Sequence, residues 1–500
     1  MSSSLTQPPS GTIRTLLDER ARSGGVAIVF PETNDELTWA DIRDAAKVVA
    51  SDLTARGLSK GESVAILQPN GREGVVAFYG CLYGGFRATM INLAAGPDAI
   101  SYCLEHSEAK IAFVHASQTE LFEGAALEGT QFVPVANTAT ETELFPLAPE
   151  DHALLMYTSG TTGRPKGVLH SHASLLAGGW TTAVAHRLTT EDRGFCVLPI
   201  YHINGLCVTV ISALVSGGSI SMVSKFSASR FWEQAAQAEV TWFSVVPTII
   251  SHLLHGSPMP DADTKRRIRF GRSASSALAI ETQQGFESRF GIGIVETMGL
   301  TETAAQILSN PLERSLQKMG SPGTAYGNEA RIADPDQNPC PPEVEGEIQV
   351  RGPNVMLGYL KNPEATTGTF AGDWLRTGDL GRMDKDGFVY VTGRLKELII
   401  KGGENIAPRE IDEALYTHAD VVEAAAFARP CKTYGERVEA AVRLCEGSQA
   451  SADELISICI ERVGKFKAPE RVHILNDLPK GPSGKIQRMK LAGLISEPAE

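Results

Sequence analysis

Short apolar runs rich in β-branched residues alternate with amphipathic stretches over the first two thirds of the chain. The runs predict strands at residues 63–67, 111–115, 153–158, 195–199, 241–247 and 294–298. Between them, stretches such as residues 228–238 have the spacing of amphipathic helices. Strands that alternate with helices are typical of βαβ units, in which helices cover largely parallel sheets. The pattern therefore predicts an α/β fold.

The pattern changes at about residue 327. Segments 346–351 and 387–392 predict short strands interrupted by Gly, Pro and Asp, and hence a β-rich subdomain. The last hundred residues predict a separate α+β unit, with strands at 422–428, 438–444 and 471–475 and helices at 408–417 and 452–463. We therefore expect a large N-terminal domain (1–392), a short, charged hinge (393–397) and a small C-terminal domain (398–500).

Composition narrows the class of protein. The chain has 500 residues and a formal net charge of −13, which disfavours binding to nucleic acids or anionic membranes. None of the eight cysteines forms a CxxC pair or has metal-ligand spacing to a histidine, so we expect reduced thiols. The N-terminus does not resemble a signal peptide, and the longest apolar stretch, residues 206–215, is too short to span a bilayer. We expect a cytoplasmic enzyme.

The segment with the clearest chemistry is YTSGTTGRPKG at residues 157–167, directly after a predicted strand. Its glycines let the backbone approach a ligand closely, and its hydroxyls and lysine suit a polyphosphate. It does not have the spacing of a Walker P-loop. The candidate ATP-binding residues in this segment are Thr158, Ser159, Gly160, Thr161, Thr162, Gly163 and Lys166.

This loop resembles the signature of the adenylate-forming superfamily, which includes acyl-CoA synthetases, peptide-synthetase adenylation domains and beetle luciferases. Further segments resemble that family's motifs in the same order: LPIYHING (198–205), RSASSAL (272–278), MGLTE (298–302), WLRTGDLG (374–381), GRLKELIIKGGENIAP (393–408) and PKGPSGKIQ (479–487). The resemblance covers roughly residues 35–490. It implies an AMP-forming acid–CoA ligase that uses ATP, Mg²⁺ and coenzyme A and has a mobile C-terminal domain. A homodimer is common in that family.

The resemblance also implies roles for individual residues. Lys485 would bridge the acid carboxylate and the α-phosphate, Thr301 would contact that phosphate, and Glu302 would hold Mg²⁺, a metal that prefers oxygen ligands. His202 would gate the acyl pocket and Lys396 would be the hinge. Further ATP contacts are implied for Ser273, Ala274, Ser275, Met298, Gly299, Asp379 and Arg394, an acyl lining for His202, Asn204 and Ser276, and pantetheine contacts for Gly402 and Gly403. Met298 replaces the aromatic residue that is usual in the family.

Several substrates remain open. An amino acid is disfavoured, because His202 stands about where amino-acid-activating domains carry an Asp for the substrate ammonium. The segments around Arg272, Ser309 and Arg351 look most like the oxalyl-CoA synthetase branch, which suggests a small polar or doubly anionic acid. That branch has histidines where Asn204 and Ala305 stand, so malonate or a sulfonated acetate fits as well as oxalate. A medium-chain fatty acid is the alternative. A non-catalytic nucleotide-binding protein is a remote one, because Lys485, Glu302 and Asp379 are all present.

Overall fold

The structure is a computed structural model that describes residues 6–158, 164–481 and 485–495. Of the predicted phosphate loop, Thr158 and Lys166 are described, whereas Ser159, Gly160, Thr161, Thr162 and Gly163 lie outside the described residues.

The first part of the chain alternates strands and helices, as its sequence pattern predicts. Its strands are β1 Val26–Phe30, β2 Asp35–Thr38, β3 Ser63–Leu67, β4 Arg87–Met90, β5 Ile111–Val114, β6 Gln131–Val133, β7 His152–Thr158, β8 Lys166–Ser171, β9 Arg193–Cys196, β10 Ser219–Met222, β11 Trp242–Val245, β12 Phe270–Ser273, β13 Ile294–Leu300, β14 Ala305–Ser309 and β15 Thr324–Ala325. Its α-helices are α1 Ile13–Ser23, α2 Trp39–Ala55, α3 Arg72–Gly84, α4 Pro97–Ser107, α5 Thr119–Glu123, α6 His172–Ala185, α7 Ile203–Gly205, α8 Ser212–Ser216, α9 Phe231–Gln237, α10 Pro247–Gly256, α11 Ala262–Arg267 and α12 Ile280–Phe290.

The rest of the chain forms a β-rich subdomain and a C-terminal α+β unit. The subdomain contains β16 Glu329–Ala333, β17 Gly346–Arg351, β18 Gly358–Tyr359, α13 Pro363–Thr369, β19 Phe370–Ala371, β20 Trp374–Met383 and β21 Val389–Arg394. The C-terminal unit contains β22 Ile399–Lys401, β23 Glu404–Ile406, α14 Pro408–Tyr416, β24 Val421–Cys431, β25 Gly435–Leu444, α15 Ala452–Lys467, β26 Arg471–Ile474 and α16 Arg488–Leu494.

Within the described ranges the strands form four sheets. Two are large: a nine-stranded sheet in the order β15-β14-β13-β12-β11-β9-β10-β1-β2 and a seven-stranded sheet in the order β18-β8-β7-β4-β3-β5-β6. Their central strands pair in parallel, and antiparallel strands occur at the margins. The subdomain and the C-terminal unit each have a five-stranded sheet. The predicted α/β class, with a β-rich subdomain and a smaller α+β domain, is confirmed.

Helices α3 and α6 position the two large sheets. Nearly all of their side chains are buried, as expected for helices that are apolar on every face. Helix α6 begins with a capping box in which Ser171 accepts from the Ser174 backbone N–H, and it contacts β7 and β8 of one sheet and β14 of the other. The two sheets therefore share one core, and the carboxyl ends of their strands are held at fixed positions.

One predicted strand ends earlier than expected. Residues 195–199 were predicted as extended throughout, but β9 ends at Cys196. The buried amide of Asn70 donates to the Leu198 carbonyl at 3.0 Å and accepts from the Ile200 N–H at 2.8 Å. A side chain from another βα connection therefore satisfies this backbone, and the chain turns into α7 instead of continuing the sheet.

A π-helix, Leu206–Ile211, follows α7 and continues into α8. Wide turns of this kind are rare and occur frequently at functional sites. The apolar stretch predicted at 206–215 is thus a buried helical segment. Among the described residues, no helix has the length and apolar character needed to cross a membrane, and the eight cysteines are free thiols.

Candidate active site

A cavity of about 210 Å³ lies between the large N-terminal part and the C-terminal unit. Its N-terminal wall comes from the carboxyl ends of β12 and β13, including Ser275, Ser276, Met298 and Gly299. In open, mostly parallel sheets, ligands bind at this edge. The opposite wall contains Lys485. The fold therefore brings together four residues of the predicted nucleotide and acyl site with the predicted catalytic lysine.

Lys485 faces a carboxylate from the predicted hinge. Its Nζ lies 3.9 Å from Oε1 of Glu397. Burial lowers the pKa of Lys485, and the nearby Arg394 guanidinium lowers it further, while Glu397 opposes the shift. For Glu397, burial opposes ionisation, but the cations Lys485 and Arg488 outweigh it and lower its pKa. The lysine thus enters the cavity as a partly desolvated cation, held by a carboxylate that an anionic ligand can replace.

Asp379 and Arg394 form an ion pair in the same cavity. They are cross-strand partners on β20 and β21, so the pairing register of the β-rich subdomain sets their contact. Asp379 is largely buried, and its charge raises the pKa of Arg394 above the ordinary value. This arrangement offers a fixed carboxylate, which suits hydroxyl donors such as those of a ribose, beside a cation that suits phosphate.

Glu302 follows β13 in a short 3₁₀ turn, Thr301–Thr303. Tyr359 of β18 donates its hydroxyl to Oε1 of Glu302 at 2.9 Å, and Nζ of Lys166 lies 4.8 Å from the centre of the Tyr359 ring. The carbonyl of Thr301 accepts from Nε2 of buried His170 at 2.7 Å. Burial lowers the pKa of His170 to about 4, so this imidazole is neutral and positions the turn without adding charge.

Lys396, the predicted hinge residue, lies close enough to the predicted ATP-binding cations Lys166 and Arg394 for their charges to affect it. Burial lowers the pKa of Lys396, and the charges of Lys166 and Arg394 lower it further. Lys396 lies in the turn after β21, where Leu395 donates its N–H to the Gly378 carbonyl at 3.0 Å. Three cations this close together favour the binding of a polyanion.

The predicted acyl lining is connected by hydrogen bonds. Asn204 of α7 donates to Oγ of Ser275 at 3.1 Å, and Ser275 has a left-handed backbone with φ of 74°. The ring of His202 packs against Tyr201, with centroids 4.8 Å apart. Ser275 and Ser276 line the cavity, whereas Asn204 is buried behind them.

Some predicted residues lie away from the cavity surface. Ser273 and Ala274 are buried and are not among the residues that line the cavity. Gly402 and Gly403 form the tight turn between β22 and β23, with φ of 61° and 87°, and do not appear among the residues that line the cavity. In this orientation the C-terminal unit presents Lys485 to the cavity, and the predicted pantetheine glycines lie elsewhere on its surface.

Three residues at the site were missed by sequence reasoning: Glu397, Tyr359 and Arg488. Arg488 is partly buried and binds Asp412 at 2.6 Å and Glu397 at 3.3 Å. Glu397 lies within the motif at 393–408, and Arg488 directly follows the motif at 479–487. The charge of each residue, so close to a motif, was the signal that could have identified it. Tyr359 had no comparable signal, because its contact with Glu302 depends on pairing between β18 and β8.

The donor set around Glu302 suits Mg²⁺. In the described part of the chain, no group of three or more His, Cys, Asp or Glu side chains is arranged to hold a metal ion. Mg²⁺ is usually held by one or two carboxylates together with substrate phosphates, not by a complete protein cage. A single oriented carboxylate beside a cationic phosphate site fits that pattern.

Comparisons with known proteins agree with this geometry. The family model for the AMP-binding enzyme matches residues 17–360, and the model for the AMP-binding enzyme C-terminal domain matches residues 410–485. The chain therefore belongs to the AMP-binding enzyme family. Curated relatives that align with more than nine tenths of its length are named CoA ligases. The chain is an acid–thiol ligase of the AMP-forming acyl-CoA synthetase type.

Three relatives are informative. A sulfoacetate–CoA ligase of Cupriavidus necator is 43% identical over 93% of this chain and 94% of its own length. An oxalate–CoA ligase of Arabidopsis thaliana is 34% identical over 91% of this chain and 93% of its own length. The solved structure of ATP-bound MatB from Rhodopseudomonas palustris is 30% identical, covers 97% of this chain and 99% of its own, and superposes with a TM-score of 0.89.

Proposed function

We propose that this ligase activates a small anionic carboxylic acid with ATP, through an acyl-adenylate, and transfers the acyl group to coenzyme A. The observation that carries the proposal is the cavity in which Lys485, the Asp379–Arg394 pair and the Ser275–Ser276 loop meet. The names of the relatives support the acid class, because sulfoacetate and oxalate are both short acids with a second anionic group.

In the first half-reaction, a carboxylate oxygen of the acid attacks the α-phosphorus of ATP, the acyl-adenylate forms, and pyrophosphate leaves. Catalysis of such a transfer rests on positioning and charge stabilisation. Lys485 would offset the repulsion between the two anions, Asp379 would accept from the ribose hydroxyls, and Arg394 would contact the nucleotide. Thr301 would contact the α-phosphate, and Met298 would cover adenine with its polarisable thioether.

Glu302 would hold Mg²⁺ with its carboxylate oriented by Tyr359. When bound, the ion offsets the negative charge of the phosphates. Lys166, Thr158 and the adjoining loop residues would contact the terminal phosphates, close to the Glu302 carboxylate.

In the second half-reaction, the thiol of coenzyme A attacks the acyl carbon, the thioester forms, and AMP leaves. The two halves need different neighbours around one adenylate, which the C-terminal domain would supply by rotating at Lys396. The present orientation suits the first half, because Lys485 lines the cavity. Rotation would bring Gly402 and Gly403 toward the pantetheine, while His202 would border its entrance.

This orientation is held by an interface between α10 and β24. Ser251 donates to the Val422 carbonyl at 2.9 Å. Nε2 of His252 lies 3.6 Å from Oε1 of Glu423, which is buried and also binds Lys480 at 2.9 Å. Burial opposes ionisation of Glu423, but these basic partners lower its pKa to about 2. Rotation of the C-terminal domain must break the contacts that cross to α10.

Ser251→Ala is expected to slow adenylation by up to about fivefold, since a hydrogen bond contributes about 1 kcal/mol to the orientation that it stabilises. Thioester formation from supplied acyl-adenylate should be unchanged or faster. The two half-reactions are measured separately by quenched flow. Ser229→Ala, at an exposed serine that contacts Ser227 at 3.1 Å, is the matched control. Equal slowing of both half-reactions would contradict a role in orientation.

The proposed function is tested by the release of AMP from ATP and coenzyme A across a panel of acids: sulfoacetate, malonate, oxalate, acetate, octanoate, benzoate and several amino acids. A strong, CoA-dependent preference for one short dianionic acid is the expected result. Preference for octanoate would retain the ligase and overturn the acid class. Absence of AMP release with every acid would favour the non-catalytic alternative.

Two further expectations stay proposals. We propose that the enzyme acts in the cytoplasm, as its sequence suggests, and that it forms a homodimer. Light scattering of the purified protein would give a mass of twice the chain's 53.5 kDa for a dimer, and the mass of a single chain would contradict it.

A further inference from the structure

A charged side chain that the proposed mechanism does not use lies next to the predicted acyl lining. Arg272 is on β12 and is only 1% exposed. Burial lowers its pKa to about 9, so the guanidinium remains protonated at neutral pH. A fully buried arginine normally has an acidic partner or a ligand, because a desolvated charge is costly unless it is compensated.

The partners of Arg272 are all neutral. Its Nε donates to Oε1 of Gln306 at 3.1 Å, and one terminal nitrogen donates to Oδ1 of Asn204 at 2.8 Å and to Oγ of Ser244 at 3.0 Å. Gln306 in turn bonds to His186 at 3.0 Å, and burial lowers the pKa of that histidine to about 3, which keeps it uncharged. Across the described ranges, no hydrogen bond or ion pair of Arg272 reaches a carboxylate.

Arg272 is connected to the cavity by two hydrogen bonds. Asn204 accepts from Arg272 with its oxygen and donates to Ser275 with its nitrogen, at 3.1 Å. Ser275 lines the cavity. Ser244 is the cross-strand neighbour of Arg272 on β11, so two adjacent parallel strands fix the guanidinium. The positive charge therefore lies directly behind the wall where the acid's far end would sit.

We infer that Arg272 is a specificity-determining residue whose uncompensated charge selects acids with a second anionic group, a carboxylate or a sulfonate. The inference rests on the proposed function, and in it Arg272 is the counter-ion of the acid's distal charge. Arg272 acts across Asn204 and Ser275: their amide and hydroxyl meet the distal anion, and the buried charge behind them makes its desolvation favourable. For an effective dielectric of about 20, a charge pair separated by two hydrogen-bonded side chains, roughly 8–10 Å apart, changes an equilibrium constant by about 15- to 30-fold.

The experiment compares kcat/KM for sulfoacetate and malonate with kcat/KM for propionate and butyrate, which are of similar size but lack the second charge. In Arg272→Met, the ratio of kcat/KM for dianionic acids to kcat/KM for monoanionic acids is expected to fall by about 15- to 30-fold, mainly through KM for the acid. Arg269→Met is the matched control: it removes an arginine near the start of the same strand, but one paired with Asp192, and should leave the ratio unchanged.

A second variant keeps the test meaningful if Arg272→Met does not fold. Asn204→Asp retains the shape of the wall and gives Arg272 an internal carboxylate, so the charge stays in place but is compensated. The same fall in the ratio is expected, with a melting temperature at or above that of the wild type. Arg272→Lys keeps the charge and should lose less selectivity than Arg272→Met.

The outcomes separate the inference from the proposed function. If both variants lose activity equally toward dianionic and monoanionic acids, Arg272 is only structural and the inference is overturned. If the wild-type enzyme itself does not prefer sulfoacetate or malonate to propionate, the acid class of the proposed function fails before any variant is made. A selective fall in Arg272→Met and in Asn204→Asp supports both.

Discussion

Lys485→Ala is expected to reduce the rate of adenylate formation by about 10²- to 10³-fold, the range found when one preorganised charge-stabilising group is removed from an active site. Lys485 lies in the cavity opposite β12 and β13 and has only Glu397, at 3.9 Å, as an ion-pair partner within the described residues. That contact is long, so little binding energy is lost when the ammonium turns toward an anionic substrate. Single-turnover formation of AMP-linked product from ATP and acid measures the effect.

The same variant should convert supplied acyl-adenylate and coenzyme A to the thioester at nearly the wild-type rate. The reason is that thiol attack on the acyl carbon does not bring a carboxylate and the α-phosphate, two anions, together. Lys490→Ala, at an exposed lysine in α16, is the control and should leave both half-reactions unchanged. A comparable loss in both half-reactions would mean that Lys485 supports the fold or the nucleotide, not the first transfer alone.

The rate of adenylation by the wild-type enzyme should also fall at alkaline pH. Burial and the neighbouring Arg394 lower the pKa of Lys485, so the charged form is lost at a lower pH than for an ordinary lysine. The adenylation rate is therefore expected to decline as the pH rises through this lowered pKa. The rate of the thioester half-reaction should not show this alkaline decline.

Local sequence pattern was sufficient for much of the fold. The predicted runs at 63–67 and 346–351 coincide with β3 and β17, because apolar alternation and flanking turn residues act within a few positions. Helix α14 begins at Pro408 in the first turn, as expected for a residue whose missing N–H costs nothing there. The run at 195–199 was mispredicted because Asn70, more than a hundred residues away, binds the backbone that would have continued the strand.

The candidate site was predictable only in part, for a related reason. Motif order identified Lys485, Asp379 and Glu302, whose roles stay predictions, but it carried no information about which side chains they meet. Tyr359 contacts Glu302 because β18 pairs with β8. Glu397 contacts Lys485 from the turn after β21. Long-range register sets those contacts, and a single sequence does not encode it in any local spacing.

Arg488 explains how the C-terminal unit holds Lys485 in place. Its guanidinium bonds to the carbonyl of Ala426 on β24, to Asp412 on α14 at 2.6 Å and to Glu397 at 3.3 Å. Burial opposes ionisation of Arg488, but Asp412 and Glu397 outweigh it and raise its pKa. One side chain thus ties the strand, the helix and the predicted hinge to the segment that carries the catalytic lysine.

Arg488→Met is expected to destabilise the protein by about 1–3 kcal/mol, because the partly buried carboxylates of Asp412 and Glu397 each lose a charged hydrogen-bond donor. Calorimetry gives the melting temperature, and hydrogen exchange along Val421–Cys431 reports the C-terminal unit itself. Arg462→Met, at an exposed arginine of α15, is the control and should change stability by less than about 0.5 kcal/mol.

The pH dependence of Arg488→Met distinguishes loss of the ion pairs from loss of packing. The pKa of Glu397 is lowered in the native protein, so its attraction to Arg488 contributes stability at neutral pH and is lost as the pH falls through that lowered value. The stability difference between wild type and variant should therefore shrink as the solution is acidified below about pH 4.5, the ordinary range for a glutamate. A difference that stays constant while the pH falls from 7 through the lowered pKa of Glu397 would show that Arg488 stabilises the unit through its hydrocarbon stem and not its charge. In that case the positioning of Lys485 would depend on α16 packing alone.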